Sequence, residues 1–377
     1  MTSPSWAVAR RGVACIAAAA ALGGCSSGST SASSLIAVGR TLDVYISEPA
    51  NIASDPAQLD VVDAERLAFK QQSGEVKDYA LRLIVVRRSE LSDNARAAIQ
   101  DQSSIAYLGE LAPGATELTA GITNALDLLT VSATDNALEL TQATPAVANA
   151  PSKYYESLST YGHTFARVVP SSEQEAAFDA RAIALLGGPV YVASDGSDYG
   201  RALAHALTSD AASFKLALTT TESSAKAVFF AAASPAVGAH FLDAAARTAP
   251  GAKLFGPSAL DTPAFAAALS AAARSRTYLS VPGFKASALD RAGAEFEQTF
   301  AAAYGHAPST EAIFGYAAMA AVLHVVAQEG SSADNRAKVI KAFTSIKRLP
   351  SVLGPYSIDK SGNTSLSSFV LVAPGGG

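Results

Sequence analysis

Two short patterns have the residue types for nucleophilic chemistry. Ser223-Ser224-Ala225-Lys226 fits S-x-x-K and Ser92-Asp93-Asn94 fits S-D-N. Together such elements give a serine nucleophile, a basic lysine and a polar partner for acyl transfer. Here their order along the chain is reversed and no K-T-G follows. No H-E-x-x-H, P-loop or G-x-G-x-x-G occurs either. Asp195 and Asp198 bring two carboxylates together, but their spacing and the missing closing Glu exclude an EF-hand loop. The five histidines are scattered, and His205, His240 and His324 fall in helical stretches as packing or surface residues. These residues predict no enzyme, no metal and no cofactor.

The residues better suited to function are those that must hold a ligand. Pro189 to Ala193 is a short apolar, β-branched and aromatic run, so a buried strand. Ser194-Asp195-Gly196-Ser197-Asp198 ends it as a turn. Tyr199-Gly200-Arg201 then opens an Ala/Leu-rich helix, with Asp198 placed as N-cap. In open parallel sheets ligands bind just beyond the carboxyl ends of strands, so Tyr199 should look into any cleft.

The remaining chain must supply that cleft. At 377 residues it suits two lobes of about 150 residues each. A hydrophobic share of 49% with 16% charged residues describes a globular protein. A net charge of −5 without a basic stripe argues against a nucleic-acid partner.

Residues 1–25 read as an address. Arg10-Arg11 is a basic start, and Gly12 to Gly24 is an apolar run too short for a membrane span. It ends in Leu22-Gly23-Gly24-Cys25, which resembles the bacterial lipobox, with Cys25 as the lipidated residue. Cys15 leaves with the signal peptide, so no thiol pair remains for a disulfide or a zinc site. Residues 26–34, SSGSTSASS, form a flexible tether.

From Leu35 onward, strands and helices alternate. Thr41–Ser47, Tyr79–Val86, Ile105–Gly109 and Leu128–Val131 read as strands with helices between them. The series restarts after Phe165–Pro170, with strands at Pro189, Phe214–Leu218, Ala227–Ala231, Lys253–Gly256 and Thr277–Val281. Such alternation predicts parallel sheets with right-handed crossovers, one per lobe. Phe296, Phe300 and Tyr304 recur at four-residue spacing on a late helix that Gly305 ends, and Ile313 to Gly330 reads as another helix.

The run Phe296-x3-Phe300-x3-Tyr304-Gly305-x2-Pro308-x3-Ala312-x3-Tyr316-Ala317 resembles the late helix pair of the leucine/isoleucine/valine-binding protein family. These are the substrate-binding proteins of branched-chain amino acid ABC transporters. Ile105–Thr116, Leu129–Thr141, Ser194–Leu203, Phe255-Gly256-Pro257 and Gly354–Asn363 agree with it in order. The resemblance implies an α/β type I periplasmic-binding fold: two doubly wound parallel-sheet lobes joined by a three-crossover hinge. It places residues 35–168 with 282–349 in the N-terminal lobe and 169–281 with 350–377 in the C-terminal lobe. The crossovers then fall near Val168, Val281 and Pro350.

By the same resemblance, Gly114, Ala115, Ser132, Ala133, Thr134, Tyr199 and Ser258 form the ligand site. The turns after the third and fourth strands would hold a carboxylate and an amine through backbone N–H groups and hydroxyls. The family's turn serine falls at Pro113, one tyrosine at Ala233, and the acidic partner of the amine at Ser258. A zwitterion loses solvation that these departures leave unreplaced, so a branched-chain amino acid is not the expected ligand. The expected function is a monomeric, lipid-anchored, extracytoplasmic solute-binding protein that partners an ABC permease and takes a small amino-acid-like or related metabolite. The alternative is a binding-fold lipoprotein with a degenerate cleft that serves as a sensor or protein partner at the cell envelope.

Overall fold

β1 (Thr41–Ser47) is buried along nearly its whole length because parallel partners flank it on both sides. The computed structural model describes residues 36–72, 76–155, 162–284 and 288–375. The address segment, Cys25 and the tether lie outside the described residues.

The first sheet has five strands, with an α-helix after each of the first three. After β1 come α1 (Pro56–Gln72), β2 (Ala80–Val86), α2 (Leu91–Gln100) and β3 (Ser104–Leu108). α3 (Ala120–Asn124), β4 (Leu129–Ser132) and β5 (Phe165–Arg167) complete it. Its order is β2-β1-β3-β4-β5, all parallel, so the winding reverses at β1.

The second lobe repeats the scheme. α4 (Ser172–Ala184), β6 (Pro189–Ser194), α5 (Asp198–Asp210), β7 (Ala217–Leu218) and β8 (Ala227–Ala231) are followed by α6 (Pro235–Thr248) and β9 (Lys253–Gly256). α7 (Pro263–Ala268), α8 (Ala271–Arg274) and β10 (Thr277–Pro282) lead back to the first lobe. There α9 (Arg291–Tyr304), α10 (Ala312–Glu329) and α11 (Arg336–Phe343) pack. The final strand, β11 (Phe369–Val372), pairs antiparallel with β10 at the sheet edge, giving β11-β10-β9-β8-β6-β7. Both faces of this sheet are covered. Along β8, Phe229 faces one core cluster while Val228 and Phe230 face the other, the two-residue period of a doubly covered strand.

α10 is apolar around most of its surface because most of it is buried, with His324, Ala327 and Gln328 exposed. It lies so close to α1 that a Cβ on Gly315 would stand 2.3 Å from the Val61 carbonyl oxygen. Only glycine permits that approach.

Three details depart from the sequence reading. Strand β7 keeps only Ala217 and Leu218 of the stretch expected from Phe214. Ser197, not Asp198, caps α5, its hydroxyl accepting from Gly200 N at 3.0 Å. Asp198 instead pairs with Lys153, Tyr154 and Arg201. Third, the chain does not cross to the C-terminal lobe at Pro350. Leu353, Tyr356 and Ile358 are buried in the first lobe's core, so the last crossing comes after Ile358. Gly354, Pro355 and Gly362 shape the stretch from Gly354 to Asn363 into turns and isolated bridges.

Candidate functional site

The candidate ligand residues meet where the two lobes touch. The turn after β3 carries Gly114 with a left-handed φ of 83°. A Cβ there would stand 3.3 Å from the Cβ of Tyr199 on the opposite lobe. Tyr199 is only 2% exposed, so it faces the lobe interface and not open solvent.

Tyr199 points to a carboxylate that the sequence reading missed. α4 buries Ser172, Glu175, Ala176, Asp179, Ala180 and Ile183 on one helical face. Two acids at i and i+4 therefore enter the interior together. Glu175 Oε1 accepts from Ser258 N at 2.7 Å and Ser280 Oγ at 2.8 Å. Glu175 Oε2 accepts from Asn136 Nδ2 at 2.7 Å and Tyr199 Oη at 3.2 Å. Asn136 follows β4 on the first lobe, while the other three donors belong to the second. Asn136 Nδ2 also reaches Ser258 Oγ at 3.3 Å. Burial raises the pKa of Tyr199 well above the usual range, so it remains a donor.

Asp179 explains how the second acid is tolerated. The single Ser280 hydroxyl proton faces both Glu175 Oε1 and, at 2.9 Å, Asp179 Oδ2. Burial, reinforced by Glu175, pushes Asp179 well above the carboxylate range. Burial thus disfavours a second negative charge beside Glu175.

The first lobe has its own internal carboxylate. Asp135 Oδ1 accepts from Gly114 N at 2.7 Å and Ala137 N at 3.1 Å, and Oδ2 accepts from Thr116 N at 2.8 Å. Ser132 Oγ donates to the Glu110 carbonyl at 2.6 Å and accepts from Asp135 N and Thr134 N. Thr134 Oγ1 donates to the Leu111 carbonyl at 2.6 Å. Ala115 N donates to Ala112 O at 2.9 Å. Ala133 is fully buried.

Beyond this filled region the interlobe space is open. A cavity of about 220 Å³ has Leu111, Ala112 and Pro113 on one side and Ala233, Ser258 and Asp261 on the other. A neighbouring cavity of about 490 Å³ shares Asp261 and Glu311 with it and adds Asp60. Asp55 lines the smaller one, and among the described residues neither has a Lys, Arg or His in its wall. Burial, then the charge of Asp55, pushes Asp261 up to about 6. Burial raises Glu311 well above the carboxylate range, with Asp261 and Asp55 adding to it. Burial also raises Asp55, against the pull of its bonds to Gln58 and Ala57.

The sequence profile described as periplasmic binding protein matches residues 56–373. The chain belongs to the periplasmic binding protein family. No curated protein matches the sequence at a significant level. Solved structures share the fold at low identity. A leucine-binding protein from Thermotoga maritima is 16% identical with a TM-score of 0.69, covering 89% of this chain and 98% of its own. A Desulfitobacterium hafniense ABC transporter substrate-binding protein in complex with Leu is 17% identical with a TM-score of 0.68, covering 88% and 96%. An R. palustris solute-binding protein in complex with benzoate is 16% identical with a TM-score of 0.65, covering 89% and 93%. The family resemblance and the two-lobed fold read from the sequence are therefore shown.

Within that family fold, the residues singled out by sequence are gathered at one place, and Gly114, Ser132, Thr134 and Tyr199 are already bonded inside the protein. Ser258 alone of the seven also lines the open cavity. The acyl-transfer patterns are not assembled. Ser92-Asp93-Asn94 lies on α2 of the first lobe, and Ser223 to Lys226 lies before β8 of the second. Glu175 and Asp135 had a sequence signal. Glu175 and Asp179 share the helical face of Ala176, Ala180 and Ile183, and Asp135 directly follows the candidate Ser-Ala-Thr turn.

Proposed function

We propose that this chain is an extracytoplasmic solute-binding protein of an ABC importer. It is held at the cell membrane through a lipid on Cys25 and works as a monomer, without cofactor or catalysis. The lipobox-like Leu22-Gly23-Gly24-Cys25 and the Ser-rich tether support the anchor. The solute lies between the lobes, where contact with both would favour closure.

One observation carries the choice of solute: the open interlobe cavity is walled by Asp55, Asp261 and Glu311 and, among the described residues, by no cationic side chain. Buried carboxylates held at raised pKa gain most from a positive charge placed among them. The solute is an amino-acid-like or related metabolite that presents an amine or amidine to this wall. The benzoate of one neighbouring structure offers a carboxylate and no amine, which does not suit this wall. The self-bonded state of Tyr199, Ser132 and Thr134 favours a second reading, a cleft that serves a sensor or protein-partner role at the envelope.

A thermal-shift screen of residues 35–377 tests both readings. Matched sets of cationic, neutral and carboxylate-only solutes are compared. A cationic hit raises the melting temperature by mass action and loses its effect in Asp261→Asn and Glu311→Gln. A hit confined to carboxylates overturns the choice of solute. A flat screen after unfolding and refolding moves the function to the protein-partner reading.

A further inference from the structure

The interlobe contact at Glu175 has the composition of a bound ligand, yet every atom belongs to the chain. Glu175 is fully buried and each of its oxygens accepts two bonds, three from the second lobe and one from Asn136 of the first. Donors from two lobes converging on one carboxylate are what draws a hinged protein shut around a solute. On the first lobe Asp135 likewise takes the backbone N–H groups of Gly114, Thr116 and Ala137. Backbone bonds join the same segments across the lobes. Ser172 N donates to Asn136 O at 2.7 Å, and Leu138 N donates to Ser172 Oγ at 3.1 Å. Asn136 Oδ1 and Asp179 Oδ1 remain buried without a hydrogen bond, so the region is polar beyond what Glu175 itself satisfies.

We infer that the inner part of the cleft is a carboxylate-binding site whose ligand is the chain's own Glu175, and that this bond to Asn136 holds the lobes closed before any solute enters. The site takes an alkyl carboxylate of the length of the glutamate side chain. Two consequences follow. Free carboxylate solutes are excluded from the inner cleft of the intact protein, and closure does not report solute. The inference goes beyond the solute-binding reading and needs no solute for its test.

The test is small-angle X-ray scattering and thermal melting of the purified domain without solute. Glu175→Ala is expected to raise the radius of gyration and lower the melting temperature by roughly 5 °C or more. Adding millimolar propionate, which carries the excised methylene and carboxylate, is expected to restore both, whereas propionamide and propylammonium do not. Propionate is expected to leave the wild type unchanged. Asn136→Ala removes the first-lobe donor and leaves the second lobe's bonds intact, so it also opens the particle, without propionate rescue. If Glu175→Ala scatters like the wild type, or if propionate acts no better than propionamide, the inference is overturned. If Glu175→Ala does not fold, Asn136→Ala decides: opening supports the latch, and an unchanged particle overturns it.

Discussion

The inner and outer halves of the interlobe space are built from the same kinds of residue with opposite outcomes. In the inner half, Asp135 and Glu175 between them accept seven hydrogen bonds. In the outer half, Asp261 and Glu311 accept none among the described residues and line open cavities instead. The difference shows that a buried carboxylate is structural when the backbone and hydroxyls around it are aimed at it. It is available to a ligand when they are not. The inner half therefore resists change, and the outer half tolerates it.

The largest break in that comparison comes from Glu175→Ala. It strands four donors, and denaturant unfolding is expected to record a loss of about 3–5 kcal/mol. Asp135→Ala removes the acceptor for three backbone N–H groups and should cost about 2–4 kcal/mol by the same measurement. If either costs no more than Glu311→Gln, the two halves are not distinct. Gly114→Ala sharpens the comparison at the contact itself. It combines a φ of 83° with a methyl 3.3 Å from Tyr199, and about 1–2 kcal/mol should be lost on melting.

The smallest effect has the opposite sign. Asp261 holds its proton up to about 6 in the folded protein, against 3.8 for the free group. Between these values the folded state binds more protons than the unfolded one, so stability falls as pH rises through that window, and the full cost applies above it. Asp261→Asn removes the cost. It should stabilise the domain by about 1 kcal/mol near pH 7.5 and have no effect near pH 3.5, read from paired melts. A stabilisation that persists at the acid end would trace the effect to packing instead of charge.

Much of this was legible in the residues. The alternation of apolar runs with helical stretches points to two largely parallel sheets, because the central strands are buried and helices must cover them. Tyr199 was legible as a residue beyond a strand's carboxyl end, whereas Ser258 and the turns at Gly114 and Ser132–Thr134 came from the family resemblance, and the structure gathers them at the lobe interface. The cap at Ser197 and the crossing after Ile358 were not. Adjacent Ser and Asp both cap helices, and only the position of Lys153 and Tyr154 draws Asp198 away from the role.

The sequence by itself determined the fold class, the family and the neighbourhood of the cleft. The fold class depends on periodicity and turn chemistry, which are local; the family and the cleft residues came from the resemblance of motifs in order along the chain. Only the tertiary structure decided which half of the cleft is filled. Glu175 lies 39 residues from Asn136 and 83 from Ser258, and neither spacing indicates that they share a hydrogen bond. Whether a carboxylate meets its donors or faces an empty cavity is settled by how two lobes dock, and docking is a property of surfaces brought together by the hinge, not of any one stretch of chain.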